Sequence, residues 1–150
     1  MAAIFISRIL NGKPPVIYED GEQSRDFIHA RDVALAIRLS LESKLSGEVF
    51  NVGRGQAITV AQVAELALLA SGQAGRITPE IAAGYRAGDI RHCFADATKI
   101  RQQLLWEPRV SPEEGFAELF AWAKGARVVD RFDQATSELE HYGLVRPVSG

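Results

Sequence analysis

Apolar residues recur at helical spacing through most of this chain, interrupted by short apolar runs of strand character. Residues 2–10 read as a short helix, with Ile4, Phe5, Ile9 and Leu10 apolar and Arg8 exposed. A helix that starts at the first residue without a capping side chain predicts further chain before Met1. Asn11-Gly12 breaks it, Pro14 and Pro15 force an extended path, and Val16, Ile17 and Tyr18 form a short strand ending at the turn Glu19-Asp20-Gly21. Phe27, Ile28 and His29 read as a second short strand. From Arg31 the pattern turns helical. Asp32 lies in the first turn, where the dipole favours a carboxylate, and Val33, Ile37 and Leu41 recur every four residues on one face.

Gly47 closes that helix, and Val49, Phe50, Asn51 and Val52 are the strongest strand candidate in the chain. Thr59 and Gln62 form a capping box. The helix it opens has an apolar stripe of Val60, Val63, Ala64 and Ala67, with Gly72 as a left-handed stop. Between 73 and 88, Ile77 and Ile81 fit a strand or an irregular connection, and Pro79 opposes a long helix. Asp96 caps a helix carrying Ile100, Leu104 and Leu105, which Trp106 and Pro108 end. Ser111, Pro112, Glu113 and Glu114 combine a cap, a first-turn proline and favourable acids. Phe116, Leu119, Phe120 and Ala123 give that helix its apolar face, and Gly125 its stop. A last helix is expected over 131–142, with Phe132, Ala135 and Leu139 on one side, then a frayed tail over 145–150. No repeat or low-complexity linker intervenes, so one α/β domain over 1–150 is expected, helix-rich with short strands.

Composition narrows the class. Apolar residues are 47% and charged residues 24% of 150, as in an ordinary globular domain, and the formal net charge of −2 favours neither nucleic acid nor an anionic membrane as partner. No apolar run approaches the ~20 residues that cross a bilayer, and the N-terminus lacks the basic leader and apolar length of a signal peptide. A single cysteine, Cys93, excludes an internal disulfide and fits a reducing compartment, so a cytoplasmic protein is expected. Cys93 itself reads as a small buried hydrophobe.

Two polar clusters carry the candidate chemistry. The first is Gly21-Glu22-Gln23-Ser24-Arg25-Asp26-Phe27; the second is Arg86-Ala87-Gly88-Asp89. Arg25 can pair on the surface with Asp20 or Asp26, or its planar fork can grip phosphate oxygens. Arg86 and Asp89 can pair with each other or serve a ligand, with Gly88 admitting close backbone approach. If the fold unites the clusters, they offer guanidiniums to an anion and a carboxylate to hydroxyls, as a nucleoside diphosphate on a sugar requires. His29, His92 and His141 are too scattered for a metal site, and His92 reads as a surface or hydrogen-bonded structural residue. Gly53-Arg54-Gly55 lacks the rest of a phosphate-loop signature and reads as a strand-to-helix turn. No nucleophile and base stand at a telling spacing, so no catalytic residue is assigned.

The run from Pro14 to Tyr18, then Gly21, Arg25, Asp26, Phe27 and His29, followed by Asp32-Val33, resembles the opening of the C-terminal substrate domain in extended short-chain dehydrogenase/reductases. These are NAD-dependent nucleotide-sugar epimerases and dehydratases. Gly47 to Gly53 followed by Thr59 resembles their next strand and helix. Arg86 to Asp96, with Lys99, Leu104, Trp106-Glu107-Pro108 and Glu114-Gly115, is similar to their closing portion. The resemblance is strongest over 1–125. In the C-terminal helix and tail, over 126–150, the segments near Val129-Asp130-Arg131 and Gly143-Leu144-Val145 resemble dTDP-L-rhamnose 4-epimerase-like members.

The resemblance implies that Arg25 and Arg86 contact the diphosphate and that Asp89 accepts from ribose hydroxyls. The strand carrying Val16 and Tyr18 would lie along the base, while Asn51 and Asp32 would be structural. UDP-, dTDP- and GDP-sugars, and epimerase and dehydratase chemistry, are equally compatible. The family's cofactor is NAD, bound by an N-terminal Rossmann half through which members usually dimerise. Its glycine fingerprint is missing here, and no lysine stands four residues after Tyr18, Tyr85 or Tyr142. The expectation is a C-terminal nucleotide-sugar-binding part that binds no NAD and performs no redox catalysis alone. A stand-alone nucleotide-binding module, or a piece complementing a separately encoded cofactor domain, are the alternatives.

Overall fold

Three helices carry the main core. In a computed structural model, which describes residues 1–82, 84–86 and 88–146, α1 (Ala2–Leu10), α3 (Val60–Ser71) and α5 (Pro112–Lys124) bury Phe5, Ile6 and Ile9 against Val63, Ala64, Ala67 and Leu68 and against Phe116, Phe120 and Ala123. The expected stripes of α3 and α5 are these buried faces. Both helices start with a capping box: Thr59 with Gln62, as expected, and Ser111 with Glu114, where a cap and favourable acids were expected. Each box satisfies first-turn N–H groups that would otherwise lack partners. Gly72, at φ 71°, ends α3 in the left-handed conformation.

A smaller core joins α2 (Ala30–Glu42) to α4 (Thr98–Leu104), with Ala36, Ala97, Ile100 and Trp106 buried. Asp32 is buried and does more than face the helix dipole. Its two carboxylate oxygens accept the N–H groups of Arg109 and Val110 at 3.0 and 3.1 Å, and its carbonyl accepts Trp106 Nε1–H at 3.0 Å. Short strands frame the helices. Strand β1 (Val16–Tyr18) pairs in parallel with β4 (Glu80–Ala82). In the second sheet, β2 (Ser24–Asp26) lies between antiparallel β3 (Ala57–Thr59) and parallel β6 (His92–Cys93). Near the C-terminus, α6 (Phe132–His141) leads to β7 (Val145–Arg146), which pairs antiparallel with β5 (Tyr85–Arg86).

Several expectations are corrected, each by a distant neighbour. Arg8 is buried rather than exposed, because its guanidinium meets Pro14 O at 2.6 Å and Asp133 at 2.9 Å. The second strand is Ser24–Asp26 and not 27–29, because β3 and β6 supply ladders only there; Phe27 packs instead toward Phe116, with centroids 6.0 Å apart. The predicted face of α2 points outward, with Ile37 56% and Leu41 81% exposed, since α4 and Trp106 lie against the Leu35, Ala36 and Leu39 side. Residues 49–52 join no sheet among the described residues: Phe50 and Val52 pack on the smaller core, and Val49 is 79% exposed. Leu105 does not belong to α4; it takes a left-handed turn and is exposed. Cys93 lies exposed on β6. Val145 and Arg146 form a strand, where a frayed tail was expected, and 147–150 lie outside the described residues.

The two cores meet at Asp26. Its carboxylate accepts backbone N–H from Arg54 and Gly55, each at 2.9 Å, and from Ala95 at 3.2 Å. Gly53 packs so closely there that an added Cβ would lie 2.5 Å from both Asp26 Oδ2 and Ala95 Cβ. Gly53→Ala therefore destabilises the chain by about 1–3 kcal/mol, the cost of overpacking, and Asp26→Asn by a similar ~1–3 kcal/mol, since an amide cannot accept all three donors. Urea denaturation checks both, and an unchanged midpoint for either would remove this hub. A second prediction concerns pH. Hydrogen bonds from Lys13 and Arg8 hold the Asp133 carboxyl below its ordinary 3.8. A depressed carboxylate stabilises above its unfolded value and loses that contribution as pH falls through the folded one. Amide protection of α6 should thus drop as pH falls below 3.8, and Asp133→Asn should show the weakened protection already at neutral pH, both read by hydrogen exchange.

Candidate functional site

The two polar clusters are far apart in sequence and adjacent in space. Arg25, on β2, donates from Nη1 to the carbonyls of Ser24 at 2.8 Å and Arg91 at 3.1 Å, and from Nη2 to Asp89 Oδ1 at 2.7 Å. Neither carboxylate that the sequence offered is its partner. Asp26 is spent on backbone N–H groups, and Asp20 pairs with Arg91 at 2.6 Å. The Arg25 and Asp89 side chains are 26% and 48% exposed, so their ion pair is half in water and contributes no more than about 1 kcal/mol. An incoming phosphate oxygen can replace Asp89 on the guanidinium at small cost.

Turn geometry fixes the first cluster. Gly21 has φ 78°, and a side chain there would press on Ile17 and Ala61. The carbonyls of Gly21 and Gln23 accept the N–H groups of Ala61 at 3.1 Å and Val60 at 2.8 Å, the unpaired donors at the start of α3. Gln23 Nε2 donates to Tyr18 O at 3.0 Å, tying the turn to β1. Arg25 thus projects from a loop held by a helix terminus on one side and a strand on the other.

Arg91 laces the second cluster to the first, and sequence reasoning missed it. It bonds Glu19 at 2.9 Å and Asp20 at 2.6 Å. This hydrogen bond, with one from the Glu22 N–H, holds the Asp20 carboxyl below its usual range. Glu19 N–H also donates to Gly84 O at 2.9 Å, and Ser24 Oγ lies 2.9 Å from His92 Nδ1, so His92 is the hydrogen-bonded structural residue expected.

Together these contacts wall a cleft of about 120 Å³, open to solvent, between β1, the start of β2 and α1. Val16, Tyr18, Arg25 and Asp89 all line it. Gln23, Ile4, Phe5 and Phe132 line it too, and the sequence reading assigned none of these four to a site. Arg86 contributes its backbone to β5, opposite Val145; its side chain lies outside the described residues. The arrangement can hold an anion at a guanidinium, offer a carboxylate to hydroxyls one residue away in space, and lay a flat apolar group along β1.

Comparison with known proteins finds relatives over most of the chain. Residues 2–119 match the model of the GDP-mannose 4,6 dehydratase family. The chain is 34% identical over 128 residues to a dTDP-glucose 4,6-dehydratase of Actinoplanes sp., covering 85% of this chain and 39% of the relative. It is 33% identical over 133 residues to a dTDP-L-rhamnose 4-epimerase of Burkholderia thailandensis, covering 87% and 35%. The crystal structure of a UDP-glucose 4-epimerase from Thermotoga maritima, solved with UDP-glucose, superposes with a TM-score of 0.75 at 37% identity, covering 83% of this chain and 39% of that one. The chain therefore spans well under half the length of these relatives, a share consistent with a C-terminal portion. On this match and these identities, the chain belongs to the extended short-chain dehydrogenase/reductase family of nucleotide-sugar epimerases and dehydratases.

Proposed function

We propose that this chain is the nucleotide-sugar-binding part of an NAD-dependent sugar epimerase or dehydratase, and that it holds its ligand without turnover on its own. Arg25 and Arg86 grip the diphosphate, Asp89 takes the ribose hydroxyls, and the backbone of Val16 and Tyr18 lies along the base. The observation that carries this reading is the 2.7 Å contact between Arg25 and Asp89, which joins two clusters 64 residues apart beside β1 in one cleft.

The residues of this chain do not fit NAD. The turn at Gly53 and Gly55 is its nearest approach to a pyrophosphate loop, yet the amides of Arg54 and Gly55 are already bonded to Asp26. No tyrosine here has a lysine four residues on, so nothing in this chain supplies the proton exchange that would accompany hydride transfer. Redox chemistry is accordingly assigned to a cofactor half supplied by further chain or by a separate one. Its docking face is the outward side of α2, at Ile37 and Leu41, with Val49 also exposed in a segment of strand composition that joins no sheet among the described residues. An exposed apolar surface of this kind is suited to a partner chain.

Three outcomes follow. Arg25→Ala should weaken UDP binding by about 1.5–3 kcal/mol, the scale of a charged hydrogen bond, with Arg25→Lys intermediate because it keeps charge but not the fork; calorimetric titration giving equal affinities would remove Arg25 from the site. The chain alone, mixed with NAD and UDP-glucose, should form no epimer and no reduced cofactor, and any turnover would overturn the division of labour. Leu41→Lys should leave the melting of the isolated chain nearly unchanged, within about 0.5 kcal/mol, while abolishing co-purification with a cofactor-domain chain. Retained co-purification would place the docking face elsewhere.

A further inference from the structure

The cleft is too small for a nucleotide. It measures about 120 Å³, whereas pockets that hold drug-sized ligands measure about 300–1,000 Å³. Further chain can add walls to it but cannot widen the gap between those already present, so one of them must move. Most are fixed. Phe5 and Val60 line the cleft from buried positions in the main core, Ile17 anchors β1 in that core, and two backbone carbonyls hold Arg25. Phe132 is different. It comes from α6, none of whose residues is fully buried and which lies outside the family match ending at residue 119.

The packing of α6 is loose. A gap of about 300 Å³, open to solvent, lies between Ile4 and Ser7 of α1 and Ala135 and Leu139 of α6, where a packed helix pair would interdigitate. Polar contacts hold the helix instead. Asp133 bonds Arg8 at 2.9 Å and Lys13 at 2.7 Å, and Thr136 Oγ1 lies 3.3 Å from the Tyr18 hydroxyl. The side chains of Asp133 and Lys13 are 66% and 44% exposed, and ion pairs so exposed are weak and screened by salt. At the far end, β7 pairs with β5 over only two residues, Val145 lying opposite Arg86. The segment before α6 is held more firmly. The Asp130 side chain, 5% exposed, lies 3.5 Å from Arg8 and 3.3 Å from Lys13. A hinge at the start of α6 therefore frees the helix and leaves the buried Arg8 charge paired.

We propose that α6 and β7 form an autoinhibitory strap: Phe132 closes the cleft against a nucleotide, which binds when the Asp133 contacts break and the arm swings away. The inference rests on the nucleotide reading above and deepens it with a regulation. Affinity is set by the open fraction of the arm, because the apparent dissociation constant is the intrinsic one divided by that fraction.

The test is calorimetric titration of the whole chain with UDP, comparing wild type with Asp133→Asn and Lys13→Ala, folding being read by circular dichroism. Neither residue lines the cleft. Both variants should bind UDP roughly three- to fivefold more tightly, the factor that loss of one exposed ion pair supplies. Lys13→Ala is the sharper of the two, since removing a cation would by itself weaken an anion, and it carries the expectation alone should Asp133→Asn fail to fold. In the wild type, UDP should speed amide hydrogen exchange in α6. Unchanged or weaker UDP binding in either folded variant, or slower exchange of α6 with UDP bound, would overturn the strap. Weakened UDP binding in Arg25→Ala would leave the nucleotide reading standing through that failure; binding of UDP by neither wild type nor variants overturns both.

Discussion

A single carboxylate joins the parts of this fold. Asp26 ends β2 and accepts N–H groups from the turn before β3 and from the segment before α4, so it ties three segments together. Taking a carboxylate partly out of water is costly unless donors replace that water, and three backbone donors do so here. Because the donors belong to the main chain, the geometry leaves no room beside Gly53, and sequence variation there is confined by sterics rather than by chemistry. The cleft begins one residue away. Arg25 is its neighbour on β2, and Ala95 follows the strand that pairs with Arg25.

Among the described residues, the cations at the cleft, Arg25 and Arg91, are both paired. Arg25 is anchored by two carbonyls and lends its remaining edge to Asp89, while Arg91 clamps Glu19 and Asp20. The carbonyl contacts hold the Arg25 guanidinium in place whether or not Asp89 occupies it, which is preorganisation for an anion at little cost in side-chain entropy. Carboxylates in the same neighbourhood keep the site from attracting anions indiscriminately. In this reading a ligand must bring hydroxyls for Asp89 as well as phosphate for Arg25, and a nucleotide sugar brings both.

The molecule also exposes apolar surface. The outer face of α2 and the segment at 49–52 combine apolar exposure with strand composition, and the chain spans well under half the length of its relatives. The physics of the smaller core explains the exposure. With Ala36, Ala97, Ile100 and Trp106 as its only fully buried members among the described residues, it covers one side of α2 and leaves the other bare.

By itself, the sequence determined the elements whose causes are local. The capping box at Thr59, the cap at Ser111, the left-handed stop at Gly72, the strand at Val16–Tyr18 and the apolar stripes of α3 and α5 all stand where periodicity and turn chemistry put them. Motifs alone also carried the family and four of the residues that line the cleft, Val16, Tyr18, Arg25 and Asp89. Tertiary structure decided the rest. Which side of α2 is buried, where β2 lies, that Arg8 is interior and that Arg91 rather than Arg25 holds Asp20 all depend on partners many residues away. The physical reason is that helix caps and periodicities are short-range properties of neighbouring residues, whereas ladders, ion pairs and burial need a second surface. Phe132 shows the difference: the sequence offered an apolar residue on a terminal helix, and only the contacts of α6 with Arg8, Lys13 and Tyr18 made it a wall of the cleft.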